Sequence, residues 1–243
     1  LLEKEYQHFL MLLGRDRERI RGLSETAREE MTEYYTMWVH QIKTPIAAMR
    51  LLLQKPGQEQ DPELSEQLFR IEEYVNMVLQ YLRVDGDNDL IVQWNDLDLM
   101  VRQAVHRYAG MFIRKKLSLS YEPLNRKVLT DEKWLVFVVE QILSNAVKYT
   151  GQGGISIYLE PGPDTVLAIR DTGTGIALED QPRIFEKGFT GYNGHADKRS
   201  TGIGLYLCRR ILNRLSHEIT VESEPGKGTI MRIWFAKERL EVE

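Results

Sequence analysis

Leu64, Leu68, Ile71, Val75, Val78 and Leu82 recur in unbroken four-three alternation. That spacing restricts the stretch to a helix with one narrow apolar seam. An earlier run, Tyr6, Phe9, Leu13, Ile20, Leu23 and Ala27, keeps heptad spacing with Asp16 interrupting it. Its phase slips near Met31 and resumes through Tyr35, Trp38, Ile42, Met49 and Leu53, a stutter between a leading coiled-coil segment and a thicker bundle. Lys55-Pro56-Gly57 and Asp61-Pro62 separate the two runs; Asp61 is placed to cap the second helix, with Pro62 at its first position. A helical hairpin is expected. Two helices with such seams enclose no core alone, so two hairpins are expected to form a dimeric four-helix bundle.

Asp85-Gly86-Asp87-Asn88-Asp89 is polar and turn-rich, and the periodicity changes after it. The spacing then predicts a strand over Leu90 to Trp94 and a helix over Asp96 to Lys115, with Leu97, Val101, Val105, Tyr108 and Phe112 on one side. Short strands follow (Leu117 to Tyr121, Val128 to Leu129), then a helix (Glu132 to Tyr149) and two strands (Ile155 to Glu160, Val166 to Arg170). After a loop-rich stretch come a helix (Gly204 to Leu215) and two last strands (Ile219 to Ser223, Thr229 to Phe235). That order predicts an α+β sandwich, mixed sheet on one side and helices on the other. The expected domains are a leading helix over 1–23, the hairpin over 24–86 and the sandwich over 87–243, a division that 243 residues accommodate.

A net charge of −4 with 28 % charged residues gives no basic footprint for nucleic acid, which is not expected as a partner. The single cysteine, Cys208, excludes an internal disulfide and a cysteine-based zinc site, and reads as a buried small hydrophobe. No apolar run approaches the roughly eighteen residues that span a bilayer. The sequence starts at Leu1 rather than methionine, which raises the expectation that it is the cytosolic part of something longer, with the missing part N-terminal.

Three glycine-bearing segments fall in the second domain: Asp171-Thr172-Gly173-Thr174-Gly175, Ser200-Thr201-Gly202-Ile203-Gly204 and Pro225-Gly226-Lys227-Gly228-Thr229. Gly173 and Gly175 follow a predicted strand, where missing side chains let backbone approach a flat ligand and leave Asp171 to accept a hydrogen bond from an exocyclic amine. Gly202 and Gly204 open a helix whose first amides suit phosphate. Neither segment is a Walker loop, and no Rossmann unit surrounds them. On Glu140 to Tyr149, apolar Ile142, Leu143, Ala146 and Val147 face inward, leaving Gln141, Asn145 and Lys148 on the other face. The Asn145 amide oxygen suits magnesium and the Lys148 ammonium suits phosphate.

Together these segments resemble, in order, the boxes of the ATP-binding domain of sensor histidine kinases, in the superfamily that also holds DNA gyrase and the heat-shock chaperone ATPase. The asparagine box surrounds Asn145 and ends at Tyr149, and the first glycine box is Asp171 to Gly175. Ile184-Phe185-Glu186-Lys187-Gly188-Phe189 is similar to the phenylalanine box, and Thr201 to Leu205 to the second glycine box. The resemblance covers Leu90 to Phe235 and implies ATP and Mg2+ as cofactors. The segment Gly188 to Ser200 has the makings of a lid over the triphosphate.

The resemblance extends to His40-Gln41-Ile42-Lys43-Thr44-Pro45, which is similar to the phosphoacceptor box of these kinases. On a helix, Trp38 and Ile42 lie one turn apart while His40 is rotated by about 200° from Trp38, so the imidazole points away from the seam. The family reading implies autophosphorylation of His40 and transfer to an aspartate of a response-regulator partner, with Thr44 helping a water dephosphorylate that partner. Pro45 removes an amide from the helix beside His40. Two departures stand out. The family usually carries Glu or Asp after the acceptor, whereas Gln41 accepts a hydrogen bond but takes no proton at neutral pH. Gln141 stands where these kinases often carry asparagine and where the hydrolytic relatives carry a glutamate base. With no carboxylate there, water activation lacks its base, which separates this chain from the rival enzyme reading, an ATPase clamp. Gln41 is the feature that points to the rival binding reading, a degenerate nucleotide-binding dimer scaffold. The short box with Gln41 and Lys43, preceded by Trp38, looks like the subgroup with minimal sensors that works beside antimicrobial-peptide ABC transporters.

Overall fold

The computed structural model describes residues 11, 14, 15, 22, 35, 39, 42–44, 46–51, 53, 62–84, 90–191 and 202–236. The chain divides into two compact units, Leu1–Gly86 and Asp87–Glu243.

In the first unit residues 42–44 and 46–51 are helical, and α1 spans Pro62–Arg83. Val39, Val75 and Leu79 form a buried cluster with Ile42 packed on it, and Arg50 is ion-paired with Glu72 across the hairpin. The four-three seam divides. Leu68 and Val75 are buried, whereas Leu64, Ile71, Tyr74 and Val78 remain exposed, and Leu79 rather than Val78 completes the buried side.

The second unit runs β1 (Gln93–Asp96), α2 (Leu97–Lys115), β2 (Ser118–Tyr121), β3 (Lys127–Thr130), α3 (Glu132–Tyr149), β4 (Gly154–Leu159), β5 (Val166–Asp171), α4 (Gly204–Arg214), β6 (Glu218–Glu224) and β7 (Gly228–Trp234). Five strands make one sheet in the order β2-β4-β5-β7-β6. The β2–β4 pair is parallel and the other pairs are antiparallel, so the sheet is mixed as expected. α3 packs against α2 and α4 and lies on β5, so its buried face is wide: Trp134 through Leu143, then Ala146 and Val147. Cys208 is fully buried on α4, and burial pushes its thiol far above the usual range, the behaviour of a small hydrophobe.

β1 and β3 form a separate antiparallel pair pairing Trp94 with Leu129. The expected strand at Leu90 to Trp94 is therefore displaced to Gln93–Asp96. The reason is a long-range contact: the Ile91 amide donates to Asp131 Oδ2 at 2.7 Å instead of entering a ladder. Asp96, expected to begin α2, is its N-cap, accepting from the amides of Asp98 and Leu99. Ala104 takes the buried place on α2 expected of Val105.

Candidate nucleotide site

α3 begins where Asp131 Oδ1 accepts from the Trp134 amide at 3.1 Å. The same carboxylate thus caps α3 and holds the chain at Ile91. Gln141 is 7 % exposed, enclosed rather than on an open face, because α3 is wrapped from both sides. Its neighbour Glu140 is also buried and pairs with Arg107 of α2 at 3.2 Å. Ser144, Asn145, Lys148 and Tyr149 are half-buried on the last turns, and the Lys148 ammonium lies 5.2 Å from the centre of the Tyr149 ring.

The chain reaches Asp171 along β5, which pairs with β4 and β7 on its two sides. Asp171 Oδ1 accepts from the Gly173 amide at 2.8 Å. Burial raises its carboxyl above the ordinary value, while the amides of Gly173 and Thr229 pull it back. The glycine loop is then pinned at both ends. The Thr174 amide donates to the Tyr149 carbonyl at 3.2 Å, and the Gly226 amide donates to the Thr174 carbonyl at 2.8 Å. The Ile176 amide donates to Ser223 Oγ at 2.8 Å, and Gln181 Nε2 donates to the Ser223 carbonyl at 2.7 Å. Gly175 has φ +70, and a Cβ there would stand 2.1 Å from the Glu224 carbonyl oxygen. The third glycine segment is accordingly the β6–β7 turn against which the Asp171 loop is set.

Ile184 and Phe185 are buried under a run of turns, with the Arg209 guanidinium 5.5 Å over the Phe185 ring. The Gly188 amide donates to the Gly202 carbonyl at 2.9 Å. Gly202 has φ +65, and an added Cβ would meet the Gly188 carbonyl carbon at 2.5 Å. Two segments expected to share a ligand are thereby joined through backbone. Beyond Gly202, Ile203 supplies no side-chain cap to α4, which leaves the amides from Gly204 and Leu205 onward suited to an anion.

His40, Gln41 and Thr201 lie outside the described residues, as does 192–200 of the expected lid, and Thr44 is exposed on its helix. The structure ties the ends of the asparagine and first glycine boxes together at Tyr149 and Thr174, and the phenylalanine and second glycine boxes at Gly188 and Gly202. Sequence reasoning missed Ser223 and Gln181, which anchor the loop after Gly175, and Lys115, whose Nζ donates to the Val147 carbonyl at 2.6 Å. A lysine in the last turn of a helix is the signal by which the latter could have been found.

Residues 130–239 match the family described as histidine kinase-, DNA gyrase B- and HSP90-like ATPase. The sensor protein BceS of Bacillus subtilis (strain 168) is 35 % identical over 212 residues, 86 % of this chain and 64 % of BceS. The chain therefore spans just under two thirds of that relative. The solved structure of full-length ShkA in complex with AMPPNP superposes with a TM-score of 0.60 at 22 % identity, covering 84 % of this chain and 46 % of ShkA, a likeness of fold. The sensor histidine kinase YxdK of Bacillus subtilis (strain 168) is 31 % identical over 220 residues, 87 % of this chain and 67 % of YxdK. On that relationship the chain belongs to the sensor histidine kinase family.

Proposed function

We propose that this chain binds ATP in the Asp87–Glu243 unit, phosphorylates His40, and passes the phosphoryl group to an aspartate of a response regulator. The observation that carries the reading is the backbone seam at Tyr149 and Thr174, which holds the Asn145–Lys148 turn of α3 against the loop of Asp171. Asp171 receives the adenine amine. Lys148 and the first amides of α4 at Gly204 and Leu205 receive phosphate, with Tyr149, Gly173, Gly175, Phe185, Thr201 and Gly202 forming the surround.

Asn145 would hold Mg2+. Its side chain is half-buried on the last turns of α3, and its amide oxygen is a hard ligand of the kind Mg2+ takes beside substrate phosphates. When bound, the ion neutralises phosphate charge. The chain's own contribution is positioning: a neutral His40 nitrogen bonds to the γ-phosphorus, the bond to the β-phosphate oxygen breaks, ADP leaves and the ring proton goes to solvent. Gln41 orients the ring and does not take that proton. Thr44 assists the reverse step on the regulator.

The one acidic side chain of the asparagine box, Glu140, is engaged by Arg107, and Gln141 holds no proton-accepting group. Both features weigh against water activation and hence against the ATPase clamp. Homodimerisation is supported by the exposed row Leu64, Ile71, Tyr74 and Val78. A membrane-bound setting beside an antimicrobial-peptide ABC transporter belongs to the same proposal, on the strength of the His40 to Pro45 box.

Radiolabel from γ-labelled ATP tests the core claim. Label on the wild-type chain is expected to disappear in His40→Gln, and its survival there would end the acceptor assignment. Loss in Gln41→Ala with retention in Gln41→Glu would implicate the neighbour. Steady phosphate release with no labelled histidine would favour the ATPase reading, and tight ATP binding with no label the scaffold.

A further inference from the structure

The last four carbonyls of any α-helix lack partners within it. At the end of α3 each has one. The Ala146 carbonyl accepts from the Thr150 amide at 3.1 Å, and the Tyr149 carbonyl accepts from the Thr174 amide at 3.2 Å. The two between them share one cation: Lys115 Nζ donates to the Val147 carbonyl at 2.6 Å and to the Lys148 carbonyl at 3.1 Å. It also lies 3.3 Å from the Thr150 carbonyl. An ammonium among three carbonyls at a helix C-terminus meets the negative end of the helix dipole as well as the oxygens themselves.

Lys115 is delivered there by its own helix end. The Leu117 amide donates to the Phe112 carbonyl at 3.0 Å and the Lys116 amide to the Ile113 carbonyl at 3.1 Å, with Lys116 in the left-handed region at φ 55. That is a Schellman turn, and buried Phe112 and Leu117 are its apolar pair. The end of α2 is thus fixed, and its last lysine closes the end of α3.

We infer that Lys115 is a positioning residue of the nucleotide site: its ammonium locks the α3 terminus that carries Lys148 and Tyr149, and through the Tyr149 carbonyl it holds the loop of Asp171. This rests on the ATP reading given above. Lys115 touches no nucleotide group in this account; it joins the phosphate-facing turn to the adenine-facing loop.

The test uses the full chain with Lys115→Met, Lys115→Gln, Lys115→Arg and, as a control, Tyr121→Phe, which removes a hydrogen bond to Asp98 elsewhere on α2. Amide exchange over residues 147–176 is measured without nucleotide, and affinity for MgATP by titration calorimetry. Lys115→Met is expected to speed exchange at Thr174 at least tenfold and to weaken MgATP binding about tenfold. Lys115→Gln moves both in the same direction by less. Lys115→Arg restores both, and Tyr121→Phe changes neither, whatever it does to thermal stability. Wild-type exchange at Thr174 in Lys115→Met and Lys115→Gln would overturn the inference. So would weakened binding without faster exchange, since the charge would then act on nucleotide directly. If the wild-type chain binds no MgATP the functional reading fails, while the exchange data still decide the role of Lys115.

Discussion

Helices α1 and α3 differ in how much of their apolar surface their own unit covers. α3 lies between α2, α4 and the sheet, and Trp134 through Leu143 are buried without a break. α1 buries Leu68, Val75 and Leu79 but leaves Leu64, Ile71 and Val78 from 39 % to 48 % exposed. The difference is one of layers: a sheet with three helices closes a core within one chain, while a hairpin of two narrow seams closes half of one. Stability in the second unit should therefore be intrinsic, and in the first a matter of assembly.

The largest effect expected from breaking that contrast is in α3. Leu143→Ala removes a fully buried side chain and should cost about 3–4 kcal/mol in guanidinium denaturation of the sandwich, with self-association unchanged. A denaturation midpoint equal to wild type would show that the core collapses around the cavity. Ile71→Asp addresses the other helix. It should weaken self-association in sedimentation equilibrium by about 3 kcal/mol, with ATP affinity unaltered, because the side chain is exposed within its own unit. Unchanged association would remove the dimer seam from this face.

A third test separates the units by pH. His217 is buried, with Nδ1 accepting from the Ala236 amide at 3.2 Å and Nε2 at 3.1 Å from Thr130 Oγ1. Burial holds its imidazole down to about 4 from an ordinary 6.5. The unfolded chain takes up this proton first as pH falls, so the stability is complete above about pH 6.5 and is lost progressively down to about pH 4. On the order of 2 kcal/mol should disappear from the sandwich transition across that window. A profile that His217→Gln fails to flatten would assign the acid sensitivity elsewhere. The smallest effect is a gain: Lys116→Gly, at φ 55, should stabilise the sandwich by about 0.5–1 kcal/mol in thermal denaturation.

Much of this architecture was legible in the order of residues. α3 was expected over Glu132 to Tyr149 and occupies those residues, since an apolar period bounded by Asp131 and Thr150 is written locally. Asp171 at a strand end was legible for the same reason, whereas Gly202, expected only to open a helix toward phosphate, proved to sit against the Gly188 backbone. β1 was misplaced because the partner that withdraws the Ile91 amide, Asp131, stands forty residues on. Gln141 was expected on an open face because helical spacing says nothing of a second helix lying over it.

Local pattern, then, determined the types of the elements and the limits of all but β1 to within a residue or two, the boxes and their family resemblance, since period, caps and glycine positions act within a few residues. Tertiary structure alone decided which half of a regular seam is buried, that Glu140 faces Arg107, and that one lysine of α2 closes the end of α3. Those outcomes depend on residues distant in sequence competing for the same carbonyls, charges and surface, and only folded geometry settles such competition.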